Sequence, residues 1–379
     1  MNIAFISPEY PIPSFKGNIG GIGTFTKNLA EQLVLLNYNI TVFVHSQPVN
    51  HVIIEKGVVI HLVKMKAVKG ITWITNRAYF NTYVNKIINQ KNIQVIEAPE
   101  WTGFTAFMKF HCPFIIRLHG SDTYFCDLEA RKVKAKNYFF EKKALSGADK
   151  IVGVSEFVAK RTKKLFKLNS EIKVIHNAID TTLFTPNHEH IKPKSLLYFG
   201  TIVRKKGLLE IAKAFNKIVE EDKKVTLTLL GRDAKDVFTK QSTLAMFKAL
   251  LTIEALKNLT ILKAVSYKQV IKHIQHAEIV VLPSLAEAFP MTWLEAMALE
   301  KKLLTSNIGW AKELMIDKKT GFMITPSNTG MFVTKVLALL KDEDKASIMA
   351  KAARNRIIEK FDIKAAIHEN IALYKNTVR

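Results

Sequence analysis

Short β-branched runs alternate with amphipathic stretches along this chain, and the alternation runs through twice. A strand buried on both faces needs helices to cover it, so this rhythm specifies α/β folding around a parallel sheet. In the first pass the expected strands are Ile3–Ser7, Ile40–His45, Val58–Val63, Ile93–Glu97, Pro113–His119, Lys150–Val154 and Lys173–His176. Helical patterns lie between them at Thr24–Leu36, Trp73–Asn89, Leu128–Ser146 and Glu156–Phe166. A polar stretch bracketed by prolines, Thr185–Pro193, then interrupts the pattern and reads as a linker. The rhythm restarts with strands Leu196–Gly200, Val225–Leu230, Leu259–Leu262, Glu278–Leu282 and Lys302–Thr305, and a helix over Gly207–Glu220. From Met331 the tail is helical and closes on an amphipathic segment, Ile363–Tyr374. The expectation is two doubly wound domains, 1–188 and 189–358, facing a central cleft, with 359–379 a helix packed back toward the first. Folds of this kind take ligands beyond the carboxyl ends of their strands.

Bulk properties narrow the classes. A chain of 379 residues exceeds one ordinary core. Its 48% hydrophobic content excludes a disordered chain. Cys112 and Cys126 lack metal-ligand spacing, and their scarcity fits a reducing compartment. The opening residues carry no basic region, and Pro8 and Glu9 cut the first apolar run short, unlike a signal peptide. No run reaches the roughly 18 apolar residues of a spanning helix. A cytoplasmic protein is expected, soluble or peripheral at the inner face of the membrane. The formal charge of +23 calls for an anionic partner, either phosphorylated small molecules or an acidic bilayer surface. Nucleic acid is not expected, because no binding module is visible and the cations are spread over both halves.

Three segments carry candidate chemistry. Gly20-Gly21-Ile22-Gly23 precedes the first helix, where glycines permit close backbone approach and free N–H groups attract an anion. The same residues also suit a purely structural turn. Gly200-Thr201-Ile202-Val203-Arg204-Lys205-Lys206-Gly207 sets three cations in a loop after a strand, a pattern suited to a diphosphate. The third runs from Pro283 to Ala298. A strand delivers a loop bearing Glu287, and Pro290 suits the first turn of the next helix. Amides near Met291 and Thr292 are then free for phosphate or sugar oxygens. Glu295 lies about 7 Å farther along that helix than Pro290, at 1.5 Å per residue. Two carboxylates so separated can hold two hydroxylated rings flanking a diphosphate.

In context, Glu287 and Glu295 match the E-x7-E motif, and the chain resembles glycosyltransferase family 4, retaining enzymes of the GT-B fold with two Rossmann-like domains. The glycine turn, Arg117-Leu118-His119-Gly120-Ser121, Val174–Asp180, the 200–207 loop and Gly309-Trp310-Ala311-Lys312-Glu313 fall in the family's order over nearly the whole chain. The resemblance implies a retaining, metal-independent hexosyltransferase in cell-surface polysaccharide biosynthesis. Its donor would be a UDP- or GDP-linked sugar and its acceptor a glycan or lipid-linked sugar, with no further cofactor. Glu287 would hold the transferred sugar and Glu295 the ribose. Lys206 would meet the diphosphate, His119 would steady the anomeric region, and Gly21 and Gly23 would close over the phosphates. Phe289, Met291 and Thr292 complete the implied donor contacts. Thr201 departs from the family, which commonly has an arginine there, leaving Arg204 or Lys205 to replace that charge. Ala288 and Pro290 stand where glycines are common. The alternative is a catalytically inactive member serving as a partner subunit or sugar-nucleotide binder.

One further expectation comes from charge. Between Arg131 and Lys173, thirteen Lys and Arg face four acids, interleaved with Tyr138, Phe139, Phe140, Leu165 and Phe166. Such helices suit an anionic membrane surface.

Overall fold

A computed structural model describes residues 1–13, 15, 19–263 and 265–378. It divides into two compact units, 1–177 with 364–379, and 178–363.

In the first unit the strands are β1 (Asn2–Ser7), β2 (Asn39–Gln47), β3 (His51–Glu55), β4 (Val58–Lys64), β5 (Val95–Pro99), β6 (Phe114–Leu118), β7 (Lys150–Gly153) and β8 (Lys173–Val174). The helices are α1 (Gly21–Leu35), α2 (Thr72–Lys91), α3 (Asp122–Leu128), α4 (Ala135–Ser146) and α5 (Glu156–Phe166). The sheet order is β3-β4-β2-β1-β5-β6-β7-β8, parallel throughout except for β3. This edge strand escapes the sequence pattern because its side chains are mostly exposed. Lys56 and Gly57, both at positive φ, turn it back onto β4, the conformation that suits a tight hairpin. The expected helix 128–146 breaks at Ala130, which also has positive φ, so α3 and α4 are separate.

The second unit holds β9 (Lys192–Phe199), α6 (Leu208–Glu221), β10 (Thr226–Leu230), α7 (Thr243–Ala249), α8 (Ile253–Lys257), β11 (Leu259–Leu262) and α9 (Tyr267–His276). It continues through β12 (Ala277–Leu282), α10 (Met291–Ala298), β13 (Lys302–Ser306), α11 (Ala311–Leu314), β14 (Phe322–Ile324), α12 (Thr329–Lys341) and α13 (Glu343–Lys360). Its six strands are parallel in the order β11-β10-β9-β12-β13-β14. The end of the proline-bracketed stretch is already strand, with Pro193 near the start of β9, where a missing N–H costs little.

The final helix, α14 (Ile363–Val378), has Ile367, Leu373 and Tyr374 in the core of the first unit. Its polar anchor is buried. Arg117 forks onto Glu97 through Nε (2.7 Å) and Nη2 (2.9 Å), and donates to Asn370 Oδ1 at 2.6 Å. Tyr374 Oη donates to Glu97 at 3.0 Å. Arg117 in the Arg-Leu-His-Gly-Ser block therefore holds architecture.

In each sheet the strand order reverses once, between β1 and β5 and between β9 and β12. A crevice opens at the carboxyl side of such a reversal, because the connecting helices leave toward opposite faces. The segments singled out above follow these strands.

Candidate functional site

The second unit gathers the donor-binding candidates at its reversal. The basic turn follows β9 and the acidic loop follows β12, and the two strands are neighbours. Backbone bonds join the loops: Leu285 N and Ala286 N both donate to Lys205 O, at 2.7 and 3.2 Å. Gly207 makes the approach possible, because a Cβ there would lie 2.1 Å from Pro283 O, and its φ is +79°. Lys206 Nζ pairs with Glu287 Oε1, and Glu287 is 8% exposed. Sequence alone sets these two residues 81 positions apart; the β9/β12 pairing makes them one ion pair.

Arg204 is committed elsewhere. Its Nε and Nη2 fork onto Asp236 at 2.7 and 3.1 Å, and Asp236 is fully buried. That guanidinium, above all, holds the Asp236 carboxyl well below its usual range. Arg204 thus ties the basic turn to the 233–242 loop. Lys205 contributes its carbonyl to the acidic loop. At Thr201, the main-chain oxygen accepts from Tyr198 Oη at 2.6 Å.

Helix α10 begins at Met291 after Pro290, and no side chain caps it. Met291 and Thr292 occupy its open first turn, as expected from Pro290. Phe289 instead faces the core, 5.5 Å from the Phe361 ring. Glu295, 5% exposed, accepts from Tyr267 Oη at 2.7 Å. Burial pushes its carboxyl up to about 7, against the opposing pull of the Tyr267 hydroxyl and Lys206.

In the first unit the glycine turn follows β1. Its helix N-terminus is occupied by the chain's own anion: Glu9 Oε1 accepts from Gly20 N at 2.8 Å and Gly23 N at 2.9 Å. The anion expected at these amides is thus an internal carboxylate. Gly23 is required by Glu9, whose Cγ would lie 2.8 Å from an added Cβ, whereas among the described residues an added Cβ at Gly21 meets nothing within 4 Å. Packing among the described residues therefore explains one glycine and not the other.

His119 follows β6 and lies edge-on to Phe25 of α1, with ring centroids 4.8 Å apart, so the glycine-turn helix and His119 share a neighbourhood. Burial, with Arg117 adding to it, lowers the imidazole to about 3 and keeps it neutral. Its backbone is held by a residue that sequence reading missed: Glu100 accepts from His119 N (2.9 Å) and Gly120 N (2.6 Å). Burial pushes Glu100 up to about 8 despite those bonds. Glu141, inside the basic segment, likewise caps α3 through Asp122 N (2.8 Å) and Thr123 N (3.1 Å). Glu9, Glu100, Glu141, Asp236 and Tyr267 show no local signal, since each acts on a partner far along the chain.

On the basic helices, Phe140 and Phe166 are core residues, while Phe139 is 49% exposed. Beside it Phe107, held at φ +66° and 58% exposed, lies 6.0 Å ring to ring. No helix among the described residues is long and apolar enough to cross a membrane. A cavity of about 330 Å³ in the second unit lies at the other end of its sheet, beside the amino ends of β9, β12 and β13. Its ionisable side chains are bonded within the protein, Lys302 to Glu278 (2.8 Å) and Glu343 (2.5 Å), His188 to Glu300 (3.2 Å) and Lys301 to Gln275 O (2.8 Å), away from the loops described above.

Comparison with known proteins identifies the family and the fold. The model of Glycosyltransferase Family 4 matches residues 19–183, and that of Glycosyl transferases group 1 matches 180–356. An uncharacterized glycosyltransferase of Methanocaldococcus jannaschii is 24% identical over 332 residues, 86% of each chain. Sucrose-phosphate synthase from Thermosynechococcus elongatus superposes with a TM-score of 0.82 at 17% identity, over 99% of this chain and 98% of that one. Anabaena HepE in complex with UDP and glucose superposes with a TM-score of 0.77 at 16% identity, over 99% and 100%. At those identities the two structures establish the shared GT-B fold.

Proposed function

We propose, from the premise that this chain belongs to the family 4 glycosyltransferases and uses a nucleotide sugar, that it transfers a hexose with retention and without a metal. The observation that carries the reading is the Lys206–Glu287 pair at the β9/β12 reversal, beside the uncapped start of α10. Glu287 binds hydroxyls of the transferred sugar, and Glu295 binds the ribose. Lys206 neutralises the diphosphate, with the amides of Met291 and Thr292 taking further oxygens. Lys206 changes partner on donor binding, from Glu287 to phosphate. With Arg204 held by Asp236, Lys206 bears most of the compensation that an arginine at 201 would share.

As the bond from the anomeric carbon to the donor phosphate breaks, that carbon gains oxocarbenium character, the acceptor oxygen bonds to it on the same face, and the leaving phosphate takes the acceptor's proton. Neutral His119 steadies that region by hydrogen bonding, not by carrying a proton. Gly21, which no described residue crowds at its Cα, admits the phosphates or the acceptor. The donor is a UDP-hexose in preference to a GDP-sugar, a choice supported by the UDP and glucose held by the Anabaena neighbour. The acceptor is a glycan or lipid-linked sugar of surface polysaccharide assembly, the setting the family resemblance favours. Exposed Phe139 and Phe107 beside the lysines of α4 bring the enzyme to the anionic inner face of the membrane.

Donor hydrolysis or transfer by the purified protein tests the reading. No turnover with UDP-, GDP- or ADP-sugars would leave the inactive partner-subunit alternative. A strict Mg²⁺ requirement for chemistry overturns the metal-free claim, and failure to sediment with anionic liposomes at physiological salt removes the membrane claim.

A further inference from the structure

The geometry points to Tyr267 as a positioning residue for donor binding, holding Glu295 by one carboxylate oxygen so that the other is left for the ribose diol. This rests on the reading of Glu295 as the ribose ligand.

Tyr267 is the first residue of α9, and its place is fixed from both sides. Ser266 and Gln269 form a capping box at the helix start, with Gln269 Oε1 accepting from Ser266 N at 3.2 Å and from its hydroxyl at 2.9 Å. The ring packs edge-on against Phe184, with centroids 5.8 Å apart. From that anchored position the hydroxyl reaches Glu295 Oε1 at 2.7 Å. Among the described residues, Oε2 has no hydrogen-bond partner. One oxygen is satisfied by the protein, and the other is left to accept.

The chemistry of a tyrosine suits this task. Burial, followed by the neighbouring carboxylate, pushes the Tyr267 hydroxyl upward, so it stays a donor at every working pH. A lysine in its place would neutralise Glu295 and compete with the ligand. A phenol orients the carboxylate and leaves its charge. Without that bond, Glu295 can rotate about its terminal torsion, which is broad, and its proton is held more tightly. Two ionisable groups act on Glu295: Tyr267 from α9, and Lys206 from the basic turn, itself paired with Glu287. Both favour the carboxylate form, so removing the phenol raises the pH at which that form appears.

The test compares wild type, Tyr267→Phe and Glu295→Gln by calorimetry. The ligand is whichever of UDP, GDP and ADP binds wild type most tightly, alongside its 2′,3′-dideoxy counterpart. Loss of one positioning hydrogen bond of ordinary net strength predicts that Tyr267→Phe loses roughly 5- to 10-fold in affinity for the ribonucleotide and little for the dideoxy form. Its affinity should fall at a higher pH than that of wild type on acidification. Glu295→Gln should abolish the ribose preference. If Tyr267→Phe keeps the full preference and pH profile while Glu295→Gln loses the preference, the role of Tyr267 is overturned and the ribose reading survives. If Glu295→Gln keeps the preference, the ribose reading itself fails and takes this inference with it. Equal losses for both nucleotides in Tyr267→Phe indicate a packing role and also overturn the proposal. Thermal melting of each variant checks folding, and Tyr267→His, which can restore a donor, should recover part of the preference.

Discussion

The two strand-order reversals are built alike and finished differently. At the first unit's reversal the carboxylates that follow β1 and β5 take the chain's own loop amides, Glu9 at the glycine turn and Glu100 at His119 and Gly120 after β6. After β9 and β12 in the second unit, the corresponding helix start is uncapped, and Lys206 and Glu287 face one another across the loops. Internally satisfied amides make a rigid floor, since stripping a buried cap costs stability. An uncapped helix start beside an exchangeable ion pair keeps its binding capacity for a ligand. Chemistry should therefore be most sensitive in the second unit, and folding in the first.

The largest effect expected is on transfer. Glu287→Ala should lower kcat/KM by on the order of 10³, comparable to losing one preorganised transition-state contact, while the melting temperature changes little. Retention of most of the wild-type rate would falsify the site assignment. Next, Glu97→Ala should cost about 3–5 kcal/mol in urea unfolding, because it strands the buried Arg117 guanidinium. An unaltered midpoint would show that α14 is not anchored by this pair.

The glycine turn offers a sharper contrast. Gly23→Ala should destabilise by about 1–3 kcal/mol through its clash with Glu9. Gly21→Ala should leave unfolding unchanged and still lower transfer. Equal stability losses at both positions would erase the distinction between them.

The last effect is one of pH, and it vanishes at the acid end of the range. Glu295 has its folded pKa raised from 4.5 to about 7. The folded state then binds more protons than the unfolded one between those values, so this group's contribution to stability falls as pH rises through that window. Relative to wild type, Glu295→Gln should therefore gain on the order of 3 kcal/mol at most by pH 8, with the gap closing toward pH 4.5. Denaturant midpoints at both pH values check the sign, and a gain at pH 4.5 that vanishes at pH 8 contradicts it.

Much of this was legible in the residues. Strand and helix periodicity marked most of both sheets, since burial on both faces leaves long apolar runs, and Pro290 marked the start of α10. The exposed edge strand β3 and the short helices α7 and α8 carry no such pattern and went unseen. Glu287, Glu295 and Lys206 could be named as candidates because motif order is a property of the chain. Their joining was decided by tertiary structure, because only the β9/β12 pairing brings the basic turn onto the acidic loop. Tertiary structure also withdrew Arg204 into a fork with Asp236, turned Phe289 to the core and filled the glycine turn with Glu9. Sequence determines which groups a chain can offer, through residue type and local period. Whether a charge meets a ligand or a partner within the protein depends on contacts far apart in the chain, and those exist only once the sheets have formed.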